Sequence, residues 1–363
     1  MSDYIHDLQG WPAFHWDAKA LTGPLNSLRL QQGRLLGKLE ALGFKIQQDT
    51  LLQNLTADAQ KTSEIEGEHF RLDEVRSSVA RRLGIDIGGY RPTSRHIDGV
   101  VEMLLDATSR YDQPLAEDRL FEWHRLLFPD SSTRRGAWRD DATGPMQVIS
   151  GPIGRERVHF EAPAAHRLER EMSRFIEWFN RDHDQTLDPL LKAGIAHLGF
   201  VTIHPFDDGN GRIARAIADM ALCRSERSPQ RFYSMSGQIL RERATYYTRL
   251  EHTQRGTLDI TEWLSWFLGC LGRSIDASLV ATATVARKAE VLQSVSGTAL
   301  NDRQRLVLTR LFEGFDGHLT TSKWAAIAKC STDSALRDIS DLVARGLLMR
   351  NEGRGRGTSY RLA

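Results

Sequence analysis

The stretch His204-Pro205-Phe206-Asp207-Asp208-Gly209-Asn210-Gly211-Arg212-Ile213-Ala214-Arg215 decides how this chain is read. A base, a carboxylate, a Gly-Asn-Gly loop and two arginines lie within twelve residues. Pro205 disfavours helix in the residue before it, so His204 is expected at the exit of the apolar segment 198–203. A histidine there is a free base near neutral pH and suits proton abstraction from a hydroxyl. A lone histidine is more simply read as a cap, and here the neighbours tip the balance. Gly209 and Gly211 let the backbone bend tightly and present successive N–H groups to an anion. The helix expected to begin at Arg212 adds the positive end of its dipole. Arg212 and Arg215 are three apart and share a face. Asp208 is placed to hold Mg²⁺ against phosphates, since magnesium takes one or two carboxylates together with phosphate oxygens. Asp207 reads as a turn residue. Together these groups suit a triphosphate, its metal and an attacking hydroxyl.

Composition bounds the rest. The 363 residues suffice for two or three domains, and 40% hydrophobic with 26% charged is ordinary for a globular chain. A net charge of +1 excludes a global attraction to nucleic acid or membrane. Cys223, Cys270 and Cys330 form no metal-ligand spacing and point to a reducing compartment. The N-terminus has no basic-then-apolar leader and no segment approaches eighteen apolar residues, so a cytoplasmic location is expected.

Leucines at 25, 28, 35, 36, 39 and 42 recur at helical spacing, predicting helix over 17–55 with Gly43 as a stop. Helix continues over 56–83, interrupted by Gly67, and further blocks begin near Ser94 and after Pro114. Residues 136–163 change character. Met146–Ile149 and Arg157–Phe160 are short apolar runs around Ser150-Gly151-Pro152-Ile153-Gly154, a hairpin signal. Helix returns over 164–180, 189–203, 213–223, 246–250 and 261–271. A separate connecting helix is expected over 274–294, then a linker at 294–298. Three short helices (302–315, 322–329, 332–345) precede two strands at 347–350 and 358–362, the order of a winged helix-turn-helix. Thr321 and Ser331 or Thr332 are expected N-caps.

The central stretch has every fixed position of H-x-F-x-[DE]-G-N-G-R-x-x-R, and so resembles the signature of the Fic family. Residues 193–206, His124-Arg125-Leu126-Leu127-Phe128 and Gly136-Ala137-Trp138-Arg139 resemble neighbouring parts of that domain. The resemblance implies a mainly α fold with a β-hairpin flap, and transfer of AMP from ATP to a Ser, Thr or Tyr hydroxyl of a protein target, the chain itself included. His204 would deprotonate that hydroxyl and Asp208 would bind Mg²⁺. Gly209, Asn210 and Gly211 would cradle the phosphates. Arg212 would stabilise the departing pyrophosphate, and Arg215 would engage the γ-phosphate. Phe206 would pack into the core to fix the loop. The hairpin would align an extended target segment by adding a strand, although Val158-His159-Phe160-Glu161-Ala162-Pro163 departs from the family's apolar-Pro-Pro ending. Tyr246 and Tyr247 resemble a tyrosine pair near the adenine pocket, core packing being the equal alternative. Asp259 stands where relatives carry a nucleotide-contacting Asn.

Upstream, Thr62-Ser63-Glu64-Ile65-Glu66-Gly67 resembles the family's inhibitory motif [ST]-x-x-x-E-[GN]. Glu66 would pair with Arg215 and fill the γ-phosphate's place, and Gly67 would let the helix end there. The same carboxylate positions water for AMP removal in some relatives, which leaves both directions open. The expected organisation is an N-terminal helical region with the inhibitory motif (1–93), the core (94–273), a connecting helix and linker (274–299), and a winged helix (300–363). The last segment carries 11 Lys/Arg against 7 Asp/Glu, an excess of four. Arg350, Arg354, Arg356 and Arg361 lie in its wing, and Ser334, Arg337 and Asp338 are placed to face a groove. DNA binding competes there with dimerisation or protein docking. The second function class is accordingly a nucleotide-sensing DNA-binding regulator with little turnover. Aromatics 11–16 read as an anchor of the N-terminus.

Overall fold

The computed structural model describes residues 4–40, 44–130, 136–142, 144–152, 154–181, 187–296, 300–313, 318–351 and 358–362. They form two compact units, residues 1–280 and 281–363.

In the larger unit, Leu21, Leu28, Leu35 and Leu39 bury one face of α1 (Ala18–Glu40). In α2 (Phe44–Ile65) the buried positions include Leu52, Leu55, Ala59 and Ile65. Gly67, at φ 91°, ends this helix. The Gly67 and Glu68 amides reach back to the carbonyls of Glu64 and Ser63 at 3.1 and 3.0 Å, a stop that glycine enters without a Cβ penalty. The expected stop at Gly43 lies outside the described residues. α3 (Leu72–Leu83) follows, then α4 (Arg95–Ser109), capped by Ser94 accepting from the Ile97 amide, and α5 (Glu117–Leu127). The hairpin is β1 (Gln147–Ser150) and β2 (Arg157–Glu161), antiparallel with Val148 opposite Phe160 and an irregularity after Val148. Five helices complete the sequence of elements: α6 (Leu168–Asn180), α7 (Pro189–Ile203), α8 (Asn210–Glu226), α9 (Met235–Arg241) and α10 (Arg243–Gln254). α11 (Thr261–Ser296) runs on from the larger unit into the smaller.

Helix α7 is capped by Asp188 and opened by Pro189, and 13 of its 15 residues are buried. A helix apolar on all sides belongs in the middle of a core. Gly194 is where α11 comes closest: an added Cβ would lie 3.0 Å from the Phe267 ring, and Trp263 Nε1 donates to the Gly194 carbonyl at 2.8 Å. α2 is tied to the motif helix α8 by buried charge. Asp58 accepts from the Ser234 hydroxyl at 2.6 Å and the Ser236 amide at 3.2 Å, while Arg231 pairs with both Asp58 and Asp219. Burial and the Asp219 charge push the Asp58 carboxyl up to about 7. Removing one partner would strand another charge in the core, so α2 is held firmly beside α8.

The smaller unit adds α12 (Asp302–Glu313), β3 (Leu319–Thr320), α13 (Thr321–Ala328), α14 (Thr332–Ala344), β4 (Leu348–Arg350) and β5 (Ser359–Leu362). Its sheet runs β3-β5-β4, all antiparallel, over a core that includes Val307, Trp324, Ile339 and Leu342.

Several expectations need correction. The 261–271 and 274–294 helices are one element of 36 residues, because nothing at Arg273-Ser274 breaks the helix. Residues 294–296, assigned to a linker, belong to it. Thr320 rather than Thr321 caps α13, accepting from the Lys323 amide. Asp338 does not face a groove: it is buried and holds Arg303 and Asn301 at 2.8 Å each. Helix α9 was not expected, and Arg354 and Arg356 lie outside the described residues.

Candidate active site

His204 ends α7 in the left-handed conformation, φ 51° and ψ 58°. A non-glycine residue there costs roughly 1–3 kcal/mol and persists only when its surroundings impose it. They do. Its amide donates to the Phe200 carbonyl at 2.9 Å, Arg139 Nε donates to its carbonyl at 2.8 Å, and the Arg139 amide donates to the Pro205 carbonyl at 2.9 Å. Phe206 is wholly buried and stacks on His124, ring centroids 4.3 Å apart. The family role expected for Phe206, fixing the loop by packing, agrees with this placement.

His204 is half-buried and lines a cavity. Its Nδ1 lies 3.1 Å from the Val201 carbonyl, which can only accept, so Nδ1 carries the proton and Nε2 keeps its lone pair. Burial lowers its pKa to about 4, with Arg139 adding to the effect, so the ring is neutral at pH 7. The ring is thus neutral with Nε2 able to accept a proton.

Gly209 (φ 81°) turns the chain into α8, whose N-terminus has no side-chain cap. A Cβ on Gly209 would also meet the Phe128 ring at 2.9 Å. The first-turn amides are thus left to an anion. The Asn210 side chain serves the loop itself: its carbonyl accepts from the Phe206 amide at 3.0 Å, and its NH₂ donates to the Phe206 carbonyl at 2.8 Å. Only the Asn210 backbone is available to a ligand. Asp208 is well exposed beside this loop, one oxygen accepting from the Gly209 amide at 2.6 Å. A single oriented carboxylate next to an anion cradle fits the one-carboxylate share of a magnesium site. Among the described residues no group of three or more His, Cys, Asp or Glu forms a metal cage.

Arg215 is 2% exposed and engaged from upstream through Nε and Nη2, while its buried Nη1 makes no hydrogen bond among the described residues. The guanidinium donates through Nε to Thr62 Oγ1 at 2.8 Å, and through Nη2 to the Thr62 carbonyl at 2.9 Å and to Glu66 Oε1 at 2.7 Å. The same Glu66 oxygen would lie 2.2 Å from a Cβ on Gly211, so the carboxylate rests against the first turn of α8. A carboxylate therefore sits on the arginine and beside the anion-binding helix end at once. Arg212 shares this pattern with a residue the motif reading missed. It donates to Glu68 Oε2 at 2.8 Å and lies over the Phe128 ring at 5.0 Å, while its buried Nε makes no hydrogen bond among the described residues. Glu68 follows Gly67 directly, and that adjacency was the available signal.

Glu66, His204, Gly211, Tyr246, Tyr247 and the hairpin line one cavity of about 990 Å³. That is the upper end of the usual range for ligand pockets, about 300–1,000 Å³. The two tyrosines are not equivalent. Tyr246 is buried among His197, Trp263 and Trp266, its hydroxyl 2.9 Å from His197 Nε2. Tyr247 is 38% exposed and offers a ring to the cavity. Asp259 turns instead to its own chain, accepting from the Thr261 amide and hydroxyl.

Residues 114–222 match the family described as Fic/DOC family, and residues 4–85 match a domain of unknown function, DUF4172. The chain is 31% identical over 277 residues to Protein adenylyltransferase Fic of Drosophila melanogaster, covering 70% of this chain and 50% of the relative. Its counterpart in Nematostella vectensis is 34% identical over 122 residues, covering 33% and 26%. The chain thus spans about half the length of the first of these relatives and less of the second. A Fic family protein from Desulfovibrio desulfuricans G20 has a similar fold, with a TM-score of 0.57 at 20% identity over 96% of this chain and 97% of that one. A Fic domain containing signaling protein from Bacteroides thetaiotaomicron gives 0.55 at 19% identity over 71% and 98%.

Proposed function

Since the chain carries a Fic/DOC-family domain, we propose that it is a protein adenylyltransferase held off by its own Glu66. The observation that carries this reading is the Glu66 carboxylate on Arg215 and Gly211, in a cavity whose base, His204, is already neutral. The reaction moves AMP from ATP to a hydroxyl side chain of a protein target. The free first-turn amides of α8 and the two arginines bind the triphosphate. His204 Nε2 takes the hydroxyl proton as the oxygen attacks the α-phosphorus. Arg212 stabilises charge on the departing pyrophosphate, and Arg215, once free of Glu66, engages the γ-phosphate. Asp208 would hold Mg²⁺, which supplies charge neutralisation on the phosphates. Most of the rate enhancement is positioning and electrostatics.

The test is the intact mass of Glu66→Gly protein after incubation with Mg²⁺-ATP. A gain of one AMP mass, absent in Glu66→Gly/His204→Ala, is the expected result. Silence of wild type and Glu66→Gly alike overturns it in favour of a nucleotide sensor.

Removal of AMP is a second reading, supported by Glu66 lining the same cavity as His204. There the carboxylate would orient the attacking water. The proposed organisation keeps the core at 94–273, flanked by the helical region 1–93, the connecting segment 274–299 and the winged helix 300–363. For that last segment DNA is the alternative partner to a second copy or another protein. Loss of Asp338 from the exposed face leaves Ser334, Arg337, Arg350 and Arg361 to meet a duplex. A salt-dependent fluorescence shift on duplex DNA tests it.

A further inference from the structure

Helix α7 borders two cavities. Val201 and His204 line the one already described, whereas Ile195, Gly199 and Ile203 line a second of about 330 Å³. Those three recur every four residues and share a face of the helix, about half a turn round from Val201. The remaining walls of the second cavity are largely rings: Trp11, Phe14 and Trp16 from the N-terminal segment, and Phe175 and Trp178 from α6.

The N-terminal wall is held firmly. The His15 amide donates to the Leu258 carbonyl at 3.0 Å, and the Ile260 amide donates to the His15 carbonyl at 2.9 Å. Trp11 Nε1 donates to Glu171 on α6 at 2.9 Å. Aromatics serving only as an anchor would close on one another, since protein interiors leave few voids larger than a water. Here they stand round a space equal to about eleven waters at roughly 30 Å³ each, room for one or two aromatic rings with a short side chain. Ring faces on several sides favour a flat, aromatic occupant.

Two charged groups reach this space, and they differ. The Glu171 carboxylate is buried and already answered, one oxygen accepting from Trp11 and the other from Arg167 Nη2 at 3.1 Å. Arg174 is exposed and has no hydrogen bond or ion pair among the described residues. An adjoining hollow shares Trp11, Glu171 and Arg174 with the cavity and adds Arg167 and Arg170 against Asp7, three guanidinium groups to two carboxylates. A cation entering there meets an excess of arginine, whereas a carboxylate finds the free Arg174 fork, which suits it bidentately.

We infer that this cavity is a binding site for a small aromatic carboxylate, its ring among Trp11, Phe14, Trp16 and Trp178 and its carboxylate on Arg174. None of these residues belongs to the proposed transfer machinery, so the site stands or falls apart from that reading.

The test uses the full chain labelled with 5-fluorotryptophan, each ¹⁹F resonance being assigned by a single Trp→Phe substitution. It is titrated with 3-phenylpropionate, indole-3-acetate and 2-naphthoate, and with the amines of matching skeleton. At least one carboxylate should bind with a sub-millimolar Kd, shifting the Trp11, Trp16 and Trp178 resonances while Trp324 in the smaller unit holds still. Arg174→Gln should weaken that binding roughly 10-fold, the scale of one hydrogen bond to a charged group, and Arg174→Glu should abolish it. Because Arg174 has no partner to lose, both variants should keep the wild-type Tm. Failure of all three carboxylates to bind overturns the inference, as does binding that survives Arg174→Glu. Amines that bind as tightly as the acids overturn the assignment of an anion.

Discussion

Two walls of one cavity are built on opposite principles. On the upstream wall, residues 62–68 meet Arg215 and Arg212, both almost completely buried. On the hairpin wall, Arg157 is 69% exposed in its pair with Glu251, and Arg255 grips backbone from the surface. Buried guanidinium groups are costly to leave without a charge partner, so on the proposed reading a phosphate would have to take the place of the glutamate. Exposed contacts are individually weak and screened by water, so the hairpin is positioned without being locked. On the proposed reading, regulation would belong on the first wall and adaptation to a substrate on the second.

The strongest way to break this comparison is at the base. His204→Ala in the Glu66→Gly background should lower AMP transfer about 10²- to 10⁴-fold, the range for a general base. Transfer persisting at the parent rate would mean that another group draws the proton. Next, Glu66→Gly alone should raise transfer roughly 5- to 150-fold, the span of a coupling of about 1–3 kcal/mol. The same variant should be less stable without nucleotide, because Arg215 loses its charge partner. With Glu66 itself about a third exposed, the loss is expected to be about 1–3 kcal/mol rather than the fully buried figure. Mg²⁺-ATP should then raise its Tm more than it raises the wild type's, and equal shifts would separate Glu66 from the phosphate site.

A pH profile sharpens the same contrast. His204 must be neutral to act, and burial holds its pKa at about 4. The acid limb of kcat/KM for Glu66→Gly should therefore lie near pH 4, with no loss between pH 7 and 5.5. A limb at 6.5 would show a solvated histidine instead. Glu68→Gln should raise transfer only a few-fold, since Glu68 is partly exposed and Arg212 keeps its place over Phe128. Smallest of all is Arg157→Ala, expected to change stability by no more than about 1 kcal/mol as an exposed pair. A large loss of folding stability there would contradict the weak-contact account of the hairpin.

Much of this was legible in the residues. The motif's fixed spacing located the loop and the helix behind it, and a separate resemblance at residues 62–67 located the glutamate that meets Arg215. What eluded sequence reasoning has physical causes. The sequence does not say what the Asn210 side chain meets, and only the folded loop makes its partners the Phe206 backbone. Tyr246 and Tyr247 are adjacent in sequence and chemically identical, and the helical turn alone sends one into an aromatic core and leaves the other open. Arg273-Ser274 resembles a boundary by composition, yet a helix ends only where its hydrogen bonds do, and they continue to Ser296. Asp338 is polar and lies on a helix expected to face a groove, but Arg303 and Asn301 turn it inward. The contacts of Glu68 with Arg212 and of Arg139 with His204 join residues far apart in the chain, which no local pattern links.

The order of residues from 204 to 215 by itself determined the local arrangement: a histidine after a helix, glycines before the next, and arginines one turn apart. These are local rules, set by proline, glycine and helical periodicity. The resemblance of residues 62–67 to an inhibitory motif anticipated a Glu66–Arg215 pair, and only the tertiary structure could bring the two together. Arg215 and Glu66 are 149 positions apart, and only the packing of α2 against α8, anchored by Asp58, Asp219 and Arg231, brings the carboxylate to 2.7 Å. A buried positive charge then makes that contact costly to lose.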